Sequence, residues 1–285
     1  MAADDRTASV SVDHVLARLG SLGYNTLVWA TIVFLLSPMV IVLVISLQSN
    51  PYAAWPPGAF TLQWYTTMPE YVGYLGVSSA LTDSLALAIA TAVISTGAGG
   101  LAALAIVRYD FKYSTTLETV LISPIIYPWL VVGLAILLLL GRLNTMFGLN
   151  IQASFTVALA GHVLFTLPYP IRTIGASLQN FPYSVEEAAR NLGATELDTF
   201  VSVTLPIIRP GIISGFIFAF VLSFNQYIIS LFLTGSETKT MPLLLFSLFY
   251  NTSPAKLAAI ASLLMGGILV LVLITEYIAG ISRYV

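Results

Sequence analysis

Cysteine is absent from the 285 residues, and histidine occurs only twice. The first absence excludes disulfides, thiolate catalysis and cysteine-ligated metals, and the second argues against a histidine-rich metal site. Charge is scarce as well. Asp, Glu, Lys and Arg together make up 8% of the chain, against about 25% in an ordinary soluble domain. No Gly-x-x-x-x-Gly-Lys-Ser/Thr phosphate loop is present, since Gly97-Ala98-Gly99-Gly100 lacks a following lysine and lies inside an apolar run. No His-Glu-x-x-His helix occurs either. The chain reads as a non-enzyme with neither a metal site nor a nucleotide loop of its own.

What is abundant is apolar surface: 58% of residues are hydrophobic and the mean hydropathy is +0.91. The composition predicts an all-α polytopic membrane protein. Six stretches, 27–47, 84–107, 119–140, 155–174, 211–233 and 257–275, approach the roughly 20 residues that cross a bilayer. Helix is the state expected of them, because lipid offers no partners to free backbone groups. Pro124, Pro128, Pro168 and Pro170 fall in the third and fourth spans and are expected to kink them. Residues 1–26 are mixed, with Val12, Val15, Leu16, Leu19 and Leu22 at helical spacing, which predicts a helix on the membrane surface. The apolar run that follows is too long for a signal-peptide core, so this segment is expected to stay in the mature protein. The six spans belong to one domain, 27–283.

Placing the N-terminus inside puts Arg6, Arg18, Arg108, Lys112, Arg172, Arg190, Arg209 and Arg283 in the cytoplasm, against Arg142, Lys239 and Lys256 outside. That excess of inside cations sets the orientation and makes both termini cytoplasmic. Asp83 and Glu276 then fall at membrane edges, and no carboxylate lies mid-membrane. His162 reads as a helix-contact residue, because no second histidine or carboxylate stands at ligand spacing. Ser223, Asn225, Gln226, Tyr227 and Ser230 form a polar cluster in the fifth span. They fit either hydrogen bonds between helices or a polar lining for a solute path.

The most polar stretch is Ser184 to Pro206, within a predicted cytoplasmic loop, 181–210. Ser184 and Glu187 stand at capping-box spacing, which predicts a helix through Ala188, Ala189 and Leu192 that ends at Gly193. Thr195 and Asp198 repeat the signal for a second helix with Leu197, Phe200 and Val201 on one face, limited by Pro206. A helix, a tight turn and a helix outside the bilayer form a docking element.

Glu187-Ala188-Ala189, Gly193 and Val203-x-Leu205-Pro206 resemble the EAA signature of permease subunits of binding-protein-dependent ABC importers, with Val203 where the family usually has Ile. The resemblance implies a type I permease fold and a coupling role toward the ATPase for Glu186, Glu187, Ala188, Ala189, Gly193, Leu205 and Pro206. It also implies ATP-binding-cassette subunits that hold the ATP and magnesium, a second permease, like or identical, and an external solute-binding protein. The aromatic loop 48–83, with Trp55, Trp64 and Tyr65, is then either an interfacial belt or part of that protein's landing surface, and 234–256 is a second candidate.

Phe60-Thr61-Leu62-x-Trp64-Tyr65, Leu101 to Ala105 with Arg108-Tyr109-Asp110-Phe111, and Asn191-Leu192-Gly193-Ala194 are similar to the polyamine branch. So is Ser223-Phe224-Asn225-Gln226-Tyr227, with Asn225 where that branch commonly carries an acid. The expectation is a permease for spermidine or putrescine. The alternatives are an importer of another small solute (a sugar, an amino-acid-like molecule or an inorganic ion) and an ion-coupled secondary transporter.

Overall fold

The computed structural model describes the backbone of residues 5–279 and the side chains of residues 23–274. The surface positions Val12 to Leu22, together with Arg6, Arg18, Glu276 and Arg283, lie outside the described side chains. Among the described residues the molecule is helical, with one isolated antiparallel bridge, Gln48 to Phe60, and no strand. In chain order the helices are α1 (Asp5–Ser46), α2 (Gln63–Thr66), α3 (Met68–Val72), α4 (Val77–Arg108), α5 (Ser114–Ile122), α6 (Trp129–Phe147) and α7 (Phe155–Thr166). They continue with α8 (Pro168–Gln179), α9 (Tyr183–Asn191), α10 (Glu196–Thr199), α11 (Leu205–Phe224), α12 (Ile228–Leu233), α13 (Met241–Asn251) and α14 (Pro254–Ala279).

Five stretches among the described residues are long and apolar enough to cross a membrane: Gly23–Ser46, Val77–Arg108, Trp129–Phe147, Glu196–Phe224 and Pro254–Ile274. The expected spans are corrected at three places. The third does not run unbroken over 119–140: α5 stops at Ile122, a 3-10 turn covers Ser123–Ile125, and α6 begins after Pro128. Pro128 takes ψ 131°, outside the helical well, so the proline pair breaks the rod rather than bending it. The fourth becomes two 12-residue helices, α7 and α8, joined through Leu167 in helical geometry. Pro168 and Pro170 have no N–H to give the preceding turn, which is why the ladder lapses there. The fifth ends at Phe224, leaves 225–227 outside helix, and resumes as α12.

The chain divides into two compact units. The first holds Met1–Thr66 and Thr252–Leu263. Its loop is fixed by specific polar contacts: the Gln48 amide donates to the Ala54 carbonyl (3.0 Å), and the Trp64 indole donates to the Gln48 carbonyl (2.6 Å). The Tyr65 hydroxyl bridges Ser46 and Ser262 at 2.6 and 2.7 Å. Tyr52, Trp55 and Phe60 remain exposed.

The second unit holds Thr67–Asn251 and Leu264–Val285. Its centre is the packing of α4, α8 and α11, made possible by small residues. A Cβ on Gly99 would stand 2.9 Å from Pro170 Cβ, and one on Gly215 would stand 2.8 Å from Thr173 Oγ1 and 2.9 Å from Pro170 Cα. Toward one end Ala103, Ile174 and Leu178 close an apolar cluster with Phe181 and Ile208 of the loop 181–210. Lys239 and Met241 tie the segment before α13 to the start of α4, through Asp83 (3.1 Å) and Ser84 (2.7 Å).

Candidate coupling site

The first helix of the loop, α9, begins at Tyr183 behind Pro182, and no side chain caps it. This corrects the capping box expected at Ser184: proline supplies the helix entry, so the serine already lies inside the first turn. Its other end follows the glycine rule. Gly193 has φ +94°, with Gly193 N–H donating to Arg190 O (2.9 Å) and Ala194 N–H to Ala189 O (3.1 Å). That hydrogen-bond pair is the Schellman motif, and the left-handed residue it needs is glycine. Thr195 and Asp198 do form the expected reciprocal box at the start of α10.

Pro206 does not limit the second helix. A π turn, Phe200–Thr204, joins α10 to α11, and Leu205 N–H reaches five residues back to Phe200 O. The widened turn makes room for the ring of Pro206, which stands in the first turn of α11, where a missing N–H costs least. The lever from Glu196 to Phe224 is therefore one helical body.

The two adjacent acids have different surroundings. Glu187 is exposed, while Glu186 is only 4% exposed. The Glu186 carboxylate accepts two hydrogen bonds from the Arg108 guanidinium (2.5 and 3.1 Å) and one from the Thr204 hydroxyl, with Arg190 at 3.6 Å. Burial pushes its pKa up. The hydrogen bonds from Arg108 and Thr204, with the charges of Arg108 and Arg190, outweigh that and hold the carboxyl below its ordinary range. Arg108 also lies over the rings of Phe181 (5.4 Å) and Tyr183 (5.8 Å). Glu186 thus joins the last residue of α4, the first helix of the loop and the root of α11.

Apolar side chains of the loop stand uncovered beside the exposed Glu187, Glu196 and Asp198. Leu192 is 90% exposed, Leu197 71% and Val201 52%. Ala188, Gly193, Leu205 and Pro206 are exposed with them, and Ala189 is half-buried.

The polar cluster of the fifth span separates into two sets. Ser223, Gln226 and Ser230 are buried. His162 Nδ1 lies 2.8 Å from Ser223 Oγ and Nε2 lies 3.0 Å from Ser230 Oγ, while Ser230 donates to the Gln226 carbonyl (2.7 Å). Ser230 has spent its proton there, so this network assigns the histidine proton to Nε2, with Ser223 donating to Nδ1. His162 therefore pins both sides of the break at 225–227. Asn225 is exposed at that break, its amide donating to Val221 O (2.9 Å), and Tyr227 packs against Phe246 at 5.0 Å between centroids. Among the described residues no group of His, Asp and Glu is arranged to hold a metal.

The family model for the binding-protein-dependent transport system inner membrane component matches residues 95–280, a stretch that includes the whole of this loop. The chain belongs to that family. It is the permease subunit of an ABC importer. The permease is 31% identical over 250 residues to the putrescine transport system permease protein PotI of Escherichia coli (strain K12), covering 86% of each chain. It is 29% identical over 265 residues to the spermidine/putrescine transport system permease protein PotC of the same strain, covering 93% of this chain and 96% of that one. The molybdenum transport system permease protein ModB of that strain is 30% identical over 192 residues, 62% of this chain and 82% of ModB. Among solved structures, a bacterial ABC transporter involved in the import of the acidic polysaccharide alginate shares the fold with a TM-score of 0.63 at 16% identity, over 91% of the permease and 96% of that chain.

Two partners of Glu186, Arg108 and Thr204, escape a reading of the sequence as members of this candidate site. One signal was there to be weighed: an arginine ends an apolar span.

Proposed function

We propose that this permease spans the membrane six times with both termini in the cytoplasm, seats its loop 181–210 on a partner ATPase, and imports a polyamine such as putrescine or spermidine. The observation that carries the docking role is the contrast within the loop: a buried, hydrogen-bonded root at Glu186 beneath an exposed face of Leu192, Leu197 and Val201. A rigid base with an uncovered apolar surface is what a docking element requires. ATP and magnesium belong to the ATPase. Closure of its dimer displaces the loop, and the helix from Glu196 to Phe224 carries that displacement into the membrane. A second permease completes the path, and an external binding protein delivers the solute. The polyamine assignment is supported by the two relatives whose names carry putrescine and spermidine. Asn225 and Tyr227, beside the break, are our candidates for contact with the solute, with Ser223, Gln226 and Ser230 shaping the break behind them.

The test is reconstitution of the permease with its ATPase and binding protein in vesicles, following uptake of labelled putrescine and spermidine. Uptake requires ATP inside, and Gly193→Arg abolishes it while leaving membrane insertion intact. Uptake that survives ATP depletion but collapses with ion gradients would contradict the importer mechanism. ATP-driven uptake that excludes polyamines and accepts another solute would overturn the substrate assignment alone.

A further inference from the structure

We infer that Arg108, Glu186 and Thr204 form a positioning clamp that transmits the movement of the coupling loop into α4 as well as α11. This rests on the docking role proposed above and goes beyond it. Covalent continuity delivers the loop's movement to α11, with which α10 and the π turn form one helical body, and through residues 180–182 to α8. The second span has no such connection. Its last residue, Arg108, reaches the loop instead through the Glu186 carboxylate.

The chemistry favours transmission over simple surface pairing. Glu186 is too buried to meet a partner protein, so its charge serves this chain. Arg108 spends its terminal nitrogens on that carboxylate and its planar face on Phe181 and Tyr183; its Nε has no hydrogen-bond partner among the described residues. A two-pronged guanidinium–carboxylate pair fixes orientation as well as distance. Thr204 adds a third element from the root of the lever.

Packing leaves a task for the clamp. On one side α4 and α11 meet through Ala103, Leu104 and Ile208. On another, a hollow of about 380 Å³ opens between Gly97, Gly100 and Leu101 of α4 and Phe200, Leu205 and Phe216 along the lever. Along that hollow the two helices lack contacts with each other. The clamp lies beyond it, where α4 ends, and holds the two helices in step.

The experiment measures solute transported per ATP hydrolysed in the reconstituted complex, for wild type, Glu186→Gln and Thr204→Val. Glu186→Gln keeps the shape of the side chain and removes its charge. Since coupling between sites is typically worth 5- to 150-fold, the expected result is a roughly tenfold drop in transport per ATP for Glu186→Gln, with ATPase still bound through Leu192, Leu197 and Val201. Thr204→Val, which removes one hydroxyl, gives a smaller drop and keeps the test decisive if Glu186→Gln fails to assemble. The inference is overturned if transport per ATP stays within about twofold of wild type in the assembled variants, or if transport and hydrolysis fall together at constant ratio. Wild-type complex that fails to couple uptake to ATP contradicts the docking role itself, a separate result.

Discussion

Glu186 and Glu187 are neighbours with the same chemistry and opposite surroundings, and most of the site follows from that difference. Glu186 is held by Arg108, Thr204 and Arg190, and its pKa is lowered below the ordinary glutamate value. A carboxylate with a depressed folded pKa contributes stability that is complete above the unfolded value, about 4.3, and disappears as pH falls through the folded one. The difference in melting temperature between wild type and Glu186→Gln in detergent is therefore constant from about pH 5 to pH 8 and shrinks below about pH 4. A difference that instead fades near pH 6 would show that the carboxylate is not held as described. Gly193 could be read from the sequence, since a helix that stops at a lone glycine announces its left-handed turn locally. The burial of Glu186, named from the resemblance, could not, because it depends on Arg108, 78 positions earlier in the chain. Ser184 misleads for a third reason: Pro182 starts the helix ahead of it.

Helices here are set by hydrophobic length, and their interruptions by polar and small residues. The existence of the spans was legible, because runs of apolar residues permit little besides helix in lipid. The break after Pro128 was half-legible, as prolines mark a disturbance without saying whether the helix bends or stops. The break at 225–227 carries no proline or glycine, and the residue that bonds to both sides of it, His162, lies on another helix. The joint at Pro206 misled in the opposite direction, because a π turn absorbs the ring. The glycines of α4 and α11 also separate by environment. A methyl group at Gly215 meets Thr173 and Pro170 below 3.0 Å, whereas one at Gly97 meets nothing within 4 Å. Gly215→Ala should destabilise the solubilised permease by about 1–3 kcal/mol through overpacking. Gly97→Ala should be neutral or slightly stabilising, by up to about 1 kcal/mol, through helix propensity. Equal melting temperatures for both variants would contradict the close approach of α8 and α11.

At the scale of the whole molecule, the permease brings the first helix of the loop, the end of the second span and the root of the lever together around the buried Glu186 carboxylate. Membership of the family is consistent with that arrangement. The absence of cysteine, noted first as an exclusion, becomes an experimental advantage: one introduced thiol is unique in the chain. Leu192 is the place for it, being 90% exposed at the tip of the loop. The measurement is cross-linking of Leu192→Cys in the assembled transporter with a bifunctional maleimide–photoreactive reagent, and, separately, its labelling by a membrane-impermeant maleimide applied to each face of sealed vesicles. The account predicts a cross-link to the ATPase subunit and labelling from the cytoplasmic face only, suppressed when the ATPase is bound. Labelling from the outer face, or full labelling with no cross-link in the presence of bound ATPase, would contradict it.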